Sequence, residues 1–272
     1  MNILQQSTKI PVMGHLVLGY PTLAESIRTA AQYVQAGVEI LELQIPFSHP
    51  TADGPVITAA CQEAVNRQRV GMADCLAAIR TIRDQHPQQE VMVMSYINRI
   101  FAYGLGNFGR EMTALGIRHL IVPDLPVDSP LAAALTDFPG FKNLESLHPQ
   151  LVPVLAANVS DARVEKLLAL GFDFFYLMSD FKITGSTFSL HPRLKEIIAT
   201  IKAPIPHSPF PITKRRVGIG FGISTPAQAR LVAVEADIAI IGSALIQAQL
   251  AGELEAYLAS LQNALLGATV EA

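Results

Sequence analysis

The chain has no tryptophan and only two cysteines, and charge of either sign is scarce. Lys and Arg number 20 and Asp and Glu 23 among 272 residues, for a formal net charge of −3. Each shortage excludes something. Without a tract dense in Lys and Arg, the basic footprint of a nucleic-acid-binding surface is missing, so no nucleic acid partner is expected. The nearest cluster, Lys214-Arg215-Arg216, reads as the solvated start of a strand. Cys61 and Cys75 lack metal-ligand spacing and fall in helix-like stretches, so they read as core thiols in a reducing compartment, with no metal implied. No apolar run reaches the roughly 18 residues that a bilayer span needs. The opening "MNILQQSTKI" has no basic segment followed by an apolar one, as a secretion signal would. The expectation is a soluble, cytoplasmic protein with no membrane partner.

What is present is hydrophobic residue, 50% of the chain, arranged in a repeating pattern. Short apolar runs predict strands near Gly14–Leu18, Ile40–Ile45, Val91–Ile97, His119–Pro123, Leu151–Ala156, Phe172–Met178, Val217–Phe221 and Ile238–Ile241. Amphipathic stretches between them predict helices near Leu23–Ala36, Ile57–Arg67, Met72–Gln85, Phe108–Leu115, Ser129–Thr136, Asp161–Leu170, Pro192–Thr200 and Pro226–Val234, with a last one near Glu253–Leu265. Near-continuous apolar strands alternating with helices indicate an α/β protein with a parallel sheet. Eight such units close into a (β/α)8 barrel; an open doubly wound sheet is the competing architecture, disfavoured by the even spacing. No linker or low-complexity tract divides the chain, so residues 1–272 read as one domain.

Barrel chemistry sits at the C-terminal ends of strands. There the second strand runs into "ELQIPFSHPTADGP", from Glu42 to Pro55. Alternation puts Ile40, Glu42 and Gln44 on one face and Leu41, Leu43 and Ile45 on the other. The leucine face suits packing under helices, which turns Glu42 and Gln44 into the barrel mouth. The bland alternative is a glutamate that faces solvent or pairs with a lysine. After the seventh strand comes "GFGIST" and after the eighth "IIGSALI", so Gly222 and Gly242-Ser243 each introduce a helix. Ser224 or Thr225 is the expected N-cap of the first, with Pro226 in its first turn. Backbone N–H groups at such helix starts suit a phosphate, and barrels often bind one between these two loops. Gly185, in "KITGS" after the sixth strand, is a third candidate contributor.

The segments "LELQIPFSHPTADGPVI", "GYPTLAES", "YLMSDFKITG", "GFGIS" and "GSA" resemble the tryptophan synthase α subunit family in order and position, over essentially the whole chain. The resemblance implies a (β/α)8 barrel lyase that cleaves indole-3-glycerol phosphate to indole and glyceraldehyde 3-phosphate in tryptophan biosynthesis, with no cofactor of its own. Its partner would be a pyridoxal-phosphate β subunit that condenses the indole with serine. Glu42 matches the general acid/base that protonates indole C3 and takes the glycerol hydroxyl proton. Asp53 matches the carboxylate that accepts the indole N–H and stabilises the protonated ring. A glutamate in an apolar mouth can be held protonated, while an aspartate on a hydrogen-bonded polar loop is expected to stay ionised, so the two divide the work. Tyr176 matches a tyrosine beside the reacting centre, although a core aromatic is an equal reading. Thr184 and Gly185 match the loop that closes over substrate, and Gly222, Gly242 and Ser243 match phosphate-binding amides. Tyr96 and Asn98 match a partly structural Tyr-x-Asn signature.

Several residues depart from the family pattern. Gln44 stands in place of glycine, on the face of Glu42, where its side chain is expected to intrude on the pocket or hydrogen-bond that glutamate. His15 stands where an aromatic is usual. His49 replaces an aspartate on the partner-facing loop, Asp180 an arginine and Lys182 a glycine in the closing loop. These departures leave open a stand-alone lyase, or one acting on a related glycerol phosphate. A non-catalytic regulatory subunit is the third reading, disfavoured by the retention of Glu42, Asp53 and the glycines.

Overall fold

The computed structural model describes residues 9–136, 149–179, 190–204, 214–220 and 222–266. Its strands are β1 (Ile10–Val17), β2 (Val38–Gln44), β3 (Glu90–Met94), β4 (His119–Ile121), β5 in two pieces (Gln150–Leu151 and Val154–Ala156), β6 (Phe174–Met178), β7 (Arg216–Gly220) and β8 (Ile238–Ile241). All pair in parallel. The hydrogen-bonded order begins with the first piece of β5 and runs through β4, β3, β2, β1, β8, β7 and β6 to its second piece. Both ends of the sheet therefore belong to one strand, and the sheet closes through it.

Pro153 is the reason β5 is split, since proline has no N–H for the ladder. On one side Val152 N–H donates to the Leu120 carbonyl at 2.8 Å; on the other, Tyr176 N–H donates to the Pro153 carbonyl at 2.9 Å. The result is the expected (β/α)8 barrel, with its fifth strand interrupted rather than continuous.

The helices are α1 (Leu23–Gln35), α2 (Pro55–Gln62), α3 (Met72–Gln85), α4 (Ile97–Tyr103), α5 (Leu105–Ala114), α6 (Pro130–Thr136), α7 (Asp161–Ala169), α8 (Pro192–Lys202), α9 (Pro226–Glu235), α10 (Ser243–Ala251) and α11 (Leu254–Leu266). Two differ from the sequence expectation for identifiable reasons. Apolar residues carry the third-strand pattern on to Ile97, but the strand ends at Met94 and Tyr96 becomes the N-cap of α4. The helix predicted from Ile57 starts earlier, because Gly54 is its N-cap and Pro55, with φ already helical, fits the first position. Its last turn widens into a π-helical turn over Glu63–Arg67. No helix among the described residues is long and apolar enough to cross a membrane.

Period-two alternation divides the buried side chains into two shells. Leu41, Leu43 and Ile45 pack outward under the helices. Met13, Ile40, Met92, Phe174, Tyr176 and Ile240 fill the barrel interior. Cys61 and Cys75 are buried and free, and burial pushes both thiols up to about 12, so they are inert packing groups. The inner face of β7 carries glycines because large side chains lie across it. A Cβ on Gly218 would come within 2.8 Å of Ile240 Cδ1 and 2.9 Å of Phe174 Cζ. Gly218→Ala should cost about 1–3 kcal/mol through overpacking. An unchanged urea midpoint would show that the interior has slack there.

The cluster at 214–216 is not a solvated strand start. Lys214 is exposed, but Arg215 is buried and Arg216 half-buried. Both guanidinium arms of Arg216 meet the Glu90 carboxylate, one at 2.8 Å, and Glu39 lies 3.5 Å away. The entrances of β2, β3 and β7 bring these groups together on the barrel floor. Half-buried carboxylates there would be costly unpaired.

Candidate active site

β1 and β2 are in register, and His15 lies directly beside Glu42. Both point into the barrel mouth and both are buried, at 4% and 3% exposure. His15 is set in place from behind. Gly14 carries no side chain, and a Cβ there would sit 2.7 Å from the Tyr33 ring. Tyr33 therefore packs against the strand, and its hydroxyl donates to the His15 carbonyl at 3.2 Å. On the inner side His15 Nδ1 is 3.2 Å from Glu42 Oε2, a charge contact rather than a well-aligned hydrogen bond. Burial alone would pull the His15 pKa down. The Glu42 carboxylate, with Asp53 and Gln44 beyond it, outweighs that and holds it above its ordinary value, favouring the imidazolium.

Gln44 does face inward and is fully buried. Its partner is not Glu42: the Gln44 amide donates to Asp53 Oδ2 at 2.6 Å. The expectation missed this because strand alternation fixes which face a side chain occupies, but not which way a long amide turns. The loop after β2 folds back over the strand end and presents Asp53 to it. Asp53 N–H donates to the Pro50 carbonyl at 3.1 Å, and Gly54 and Pro55 then start α2. Tyr96 holds the loop from the β3 side. Its hydroxyl donates to Asp53 Oδ2 at 2.8 Å and accepts from Ala52 N–H at 3.0 Å.

Asp53 was expected to stay ionised on a polar loop. Burial pushes its pKa up from the ordinary value, against the pull of His15 and of the hydrogen bonds from Gln44 and Tyr96. The closed loop removes water from the carboxylate faster than two donors replace it. Tyr96→Phe should move the Asp53 titration further up, because a hydrogen bond to the ionised form is lost. The acidic limb of any reaction needing that carboxylate should then shift to higher pH. An unmoved limb would mean that Tyr96 only anchors Ala52.

Tyr176 lies across the inner face of β7, where a Cβ on Gly220 would come within 2.6 Å of its hydroxyl. That glycine is what lets the ring reach the cavity. Beyond it, the two candidate phosphate loops prove unlike each other. Gly222 has φ +83°, a left-handed conformation suited to glycine. Thr225 is the N-cap of α9, and Gln228 Oε1 accepts from the amides of Ser224 at 2.8 Å and Thr225 at 3.1 Å. Those amides are already taken. α10 starts at Gly242 with no side-chain cap, so its first-turn N–H groups have no partner within the helix.

These groups line one cavity of about 290 Å³, containing Glu42, Asp53, Tyr176, Gly222, Gly242 and Ser243, with His15 and Gln247. Six of the eight residues singled out from the sequence are thus brought together. Thr184 and Gly185, with Asp180 and Lys182, lie outside the described residues. The apolar wall comes from Ile57, Met94, Ile121, Val154, Met178 and Ile240. Such a space fits a flat apolar group at the carboxylates and an anion at the α10 start. Among the described residues no cluster of three His, Cys, Asp or Glu side chains is placed to hold a metal ion. Sequence reasoning noted His15 and Tyr96 without giving either a chemical part. The alternation that placed Glu42 inward, applied to β1 from Met13, would have placed His15 beside it.

A family model described as tryptophan synthase alpha chain matches residues 1–266. The chain is 32% identical to the tryptophan synthase alpha chain of Methanosarcina acetivorans over 271 residues, covering 97% of this chain and 92% of that one. It is 30% identical to that of Syntrophotalea carbinolica over 256 residues, covering 93% and 94%. Among solved structures, aminoacrylate-bound tryptophan synthase from M. tuberculosis matches with a TM-score of 0.75 at 27% identity, over 94% of each chain.

Proposed function

The chain belongs to the tryptophan synthase alpha chain family, a lyase family acting on indole-3-glycerol phosphate, and from that premise we propose how its own residues carry the reaction. The observation that supports the reading most is that Glu42 and Asp53 share one cavity with an uncapped helix start. The phosphate meets the α10 amides around Gly242 and Ser243, with Gly222 shaping the facing loop. The indole lies against the apolar wall, its N–H on Asp53 and its C3 within reach of Glu42. Glu42 gives a proton to C3, and the ring becomes an iminium cation balanced by the Asp53 carboxylate. Glu42 then takes the proton of the hydroxyl on the carbon attached to C3. As that C–O becomes a carbonyl, the C–C bond breaks and its electron pair returns to the ring, neutralising the iminium. Indole and glyceraldehyde 3-phosphate leave, with no net proton consumed. Tyr176 packs beside the reacting carbons.

The test is indole release from indole-3-glycerol phosphate by the purified chain, alone and with a tryptophan synthase β subunit. No indole in either case would overturn the reading. Alpha chains of this family pair with a β subunit, and the same partner is proposed here. One observation favours largely independent action: His49, exposed on the loop after β2, offers no carboxylate to a partner. Activation by a standard β subunit should therefore be weak, and His49→Asp should increase it. Strong activation of the unmodified chain would dismiss the stand-alone reading.

A further inference from the structure

We propose that His15 and Glu42 hold one shared proton and work as a single acid/base unit, in which His15 recharges the glutamate that meets the substrate. The inference rests on the lyase reading of the cavity but on different observations. His15 Nδ1 is 3.2 Å from Glu42 Oε2, the two side chains are register partners, and both are buried in the cavity wall. Among the described residues no hydrogen bond occupies His15 Nε2 or Glu42 Oε2. Gln44 lies diagonally across from His15 on the next strand, and its buried carbonyl Oε1 is likewise unpartnered. A diagonal neighbour is within reach of long side chains.

The step balances within the pair. A small turn of either side chain brings Nδ1–H into line with Oε2 across the 3.2 Å gap; the proton then passes, and an imidazolium and a carboxylate become a neutral imidazole and a carboxylic acid. The imidazole keeps its Nε2–H, for which Gln44 Oε1 is the complementary acceptor. Glu42 now carries the proton destined for C3, and the proton it later takes from the hydroxyl returns to the pair. Neither form adds net charge to the apolar mouth. The chain thus keeps an acid available without leaving a lone glutamate protonated against water.

The charged and titratable groups around His15 are few. Glu42 faces it from β2 and Asp53 from the following loop, while Tyr33 of α1 reaches only its backbone carbonyl. From the β8 side it meets Gly242, which brings no charge. Tyr176 titrates far above this range.

The experiment has two arms. In the first, the imidazole of His15 is titrated by NMR in the ligand-free protein and in Glu42→Gln. Loss of the carboxylate should drop the His15 midpoint by more than one pH unit, because burial is then opposed only by Asp53 and Gln44. An unchanged midpoint would overturn the pairing, whether or not the protein cleaves anything. In the second, the pH dependence of indole release is compared between the unmodified chain, His15→Phe and His15→Gln. A pair loses its last proton at a macroscopic value belonging to both groups. With the imidazole gone, only a carboxyl is left to lose it, so the basic limb should move at least one unit toward acid in both variants. Phenylalanine is the conservative filler of the ring's volume, so a basic limb unmoved in His15→Phe would reduce His15 to packing and overturn the proposal. Failure of the unmodified chain to release indole would overturn the lyase reading instead, and the first arm distinguishes the two failures.

Discussion

Glu42→Gln should reduce indole release by roughly 10²–10⁴-fold, the range that a positioned acid/base group contributes. Affinity for glycerol 3-phosphate should stay within about tenfold, or roughly 1.4 kcal/mol. Glutamine keeps the size of the side chain and its place on the inner face of β2, so the cavity wall is unchanged. What it loses is the ability to take and return a proton. The phosphate contacts proposed for Gly242 and Ser243 come from a different strand end and do not depend on that ability. Turnover should therefore collapse while binding survives. The measurement is a kcat comparison beside calorimetric binding of glycerol 3-phosphate. Residual turnover within a few-fold of the unmodified chain would remove Glu42 from proton transfer. A joint loss of binding and folding would point instead to a structural part, and a denaturation curve separates that outcome.

The barrel was legible because its signals are periodic and repeated. Apolar strands alternate with amphipathic helices along the chain, and the two-residue alternation of β2 separates Leu41 and Leu43 from Glu42 and Gln44. The failures occurred where a tertiary contact overrode a local pattern. The apolar signal of the third strand runs on to Ile97, yet the Tyr96 hydroxyl is held by Ala52 and Asp53, and a helix begins at Ile97. The Lys214-Arg215-Arg216 run looked solvated because Glu39 and Glu90, which draw Arg216 inward, are over a hundred positions away. Gln44 was placed on the correct face with the wrong partner, since the loop that brings Asp53 back over the strand leaves no trace in strand periodicity. Gly242 and Gly222 looked equivalent as helix starts. Only the reach of Gln228 back to Ser224 and Thr225 shows that one start is closed and the other open.

Asp53→Asn should lower turnover by about 10²-fold, near the smaller end of what one preorganised electrostatic group contributes. The surroundings keep the structural cost of the substitution small. Gln44 and Tyr96 both donate to Asp53 Oδ2, and an amide oxygen at that position accepts the same two bonds. Ala52 remains tied to Tyr96 and the loop keeps its shape, so stability should change little. With its one oxygen turned to Gln44 and Tyr96, asparagine puts its NH2 in place of Oδ1, which cannot accept the indole N–H, so substrate affinity should fall as well. The iminium formed when C3 is protonated, however, loses the full negative charge that balances it in a buried, water-poor site. The loss should therefore appear in kcat as well as in KM. The pH profile gives a second reading. Burial raises the Asp53 pKa above the ordinary aspartate value of about 3.9. Lowering the pH through that raised value protonates the carboxylate, so the acidic limb of the unmodified enzyme should lie above the ordinary range. Asparagine cannot be protonated there, and the Asp53→Asn profile should lose that limb while keeping its basic one. Full turnover in Asp53→Asn would make Asp53 a structural acceptor for Gln44 and Tyr96. An acidic limb identical in both proteins would assign it to another group in the cavity.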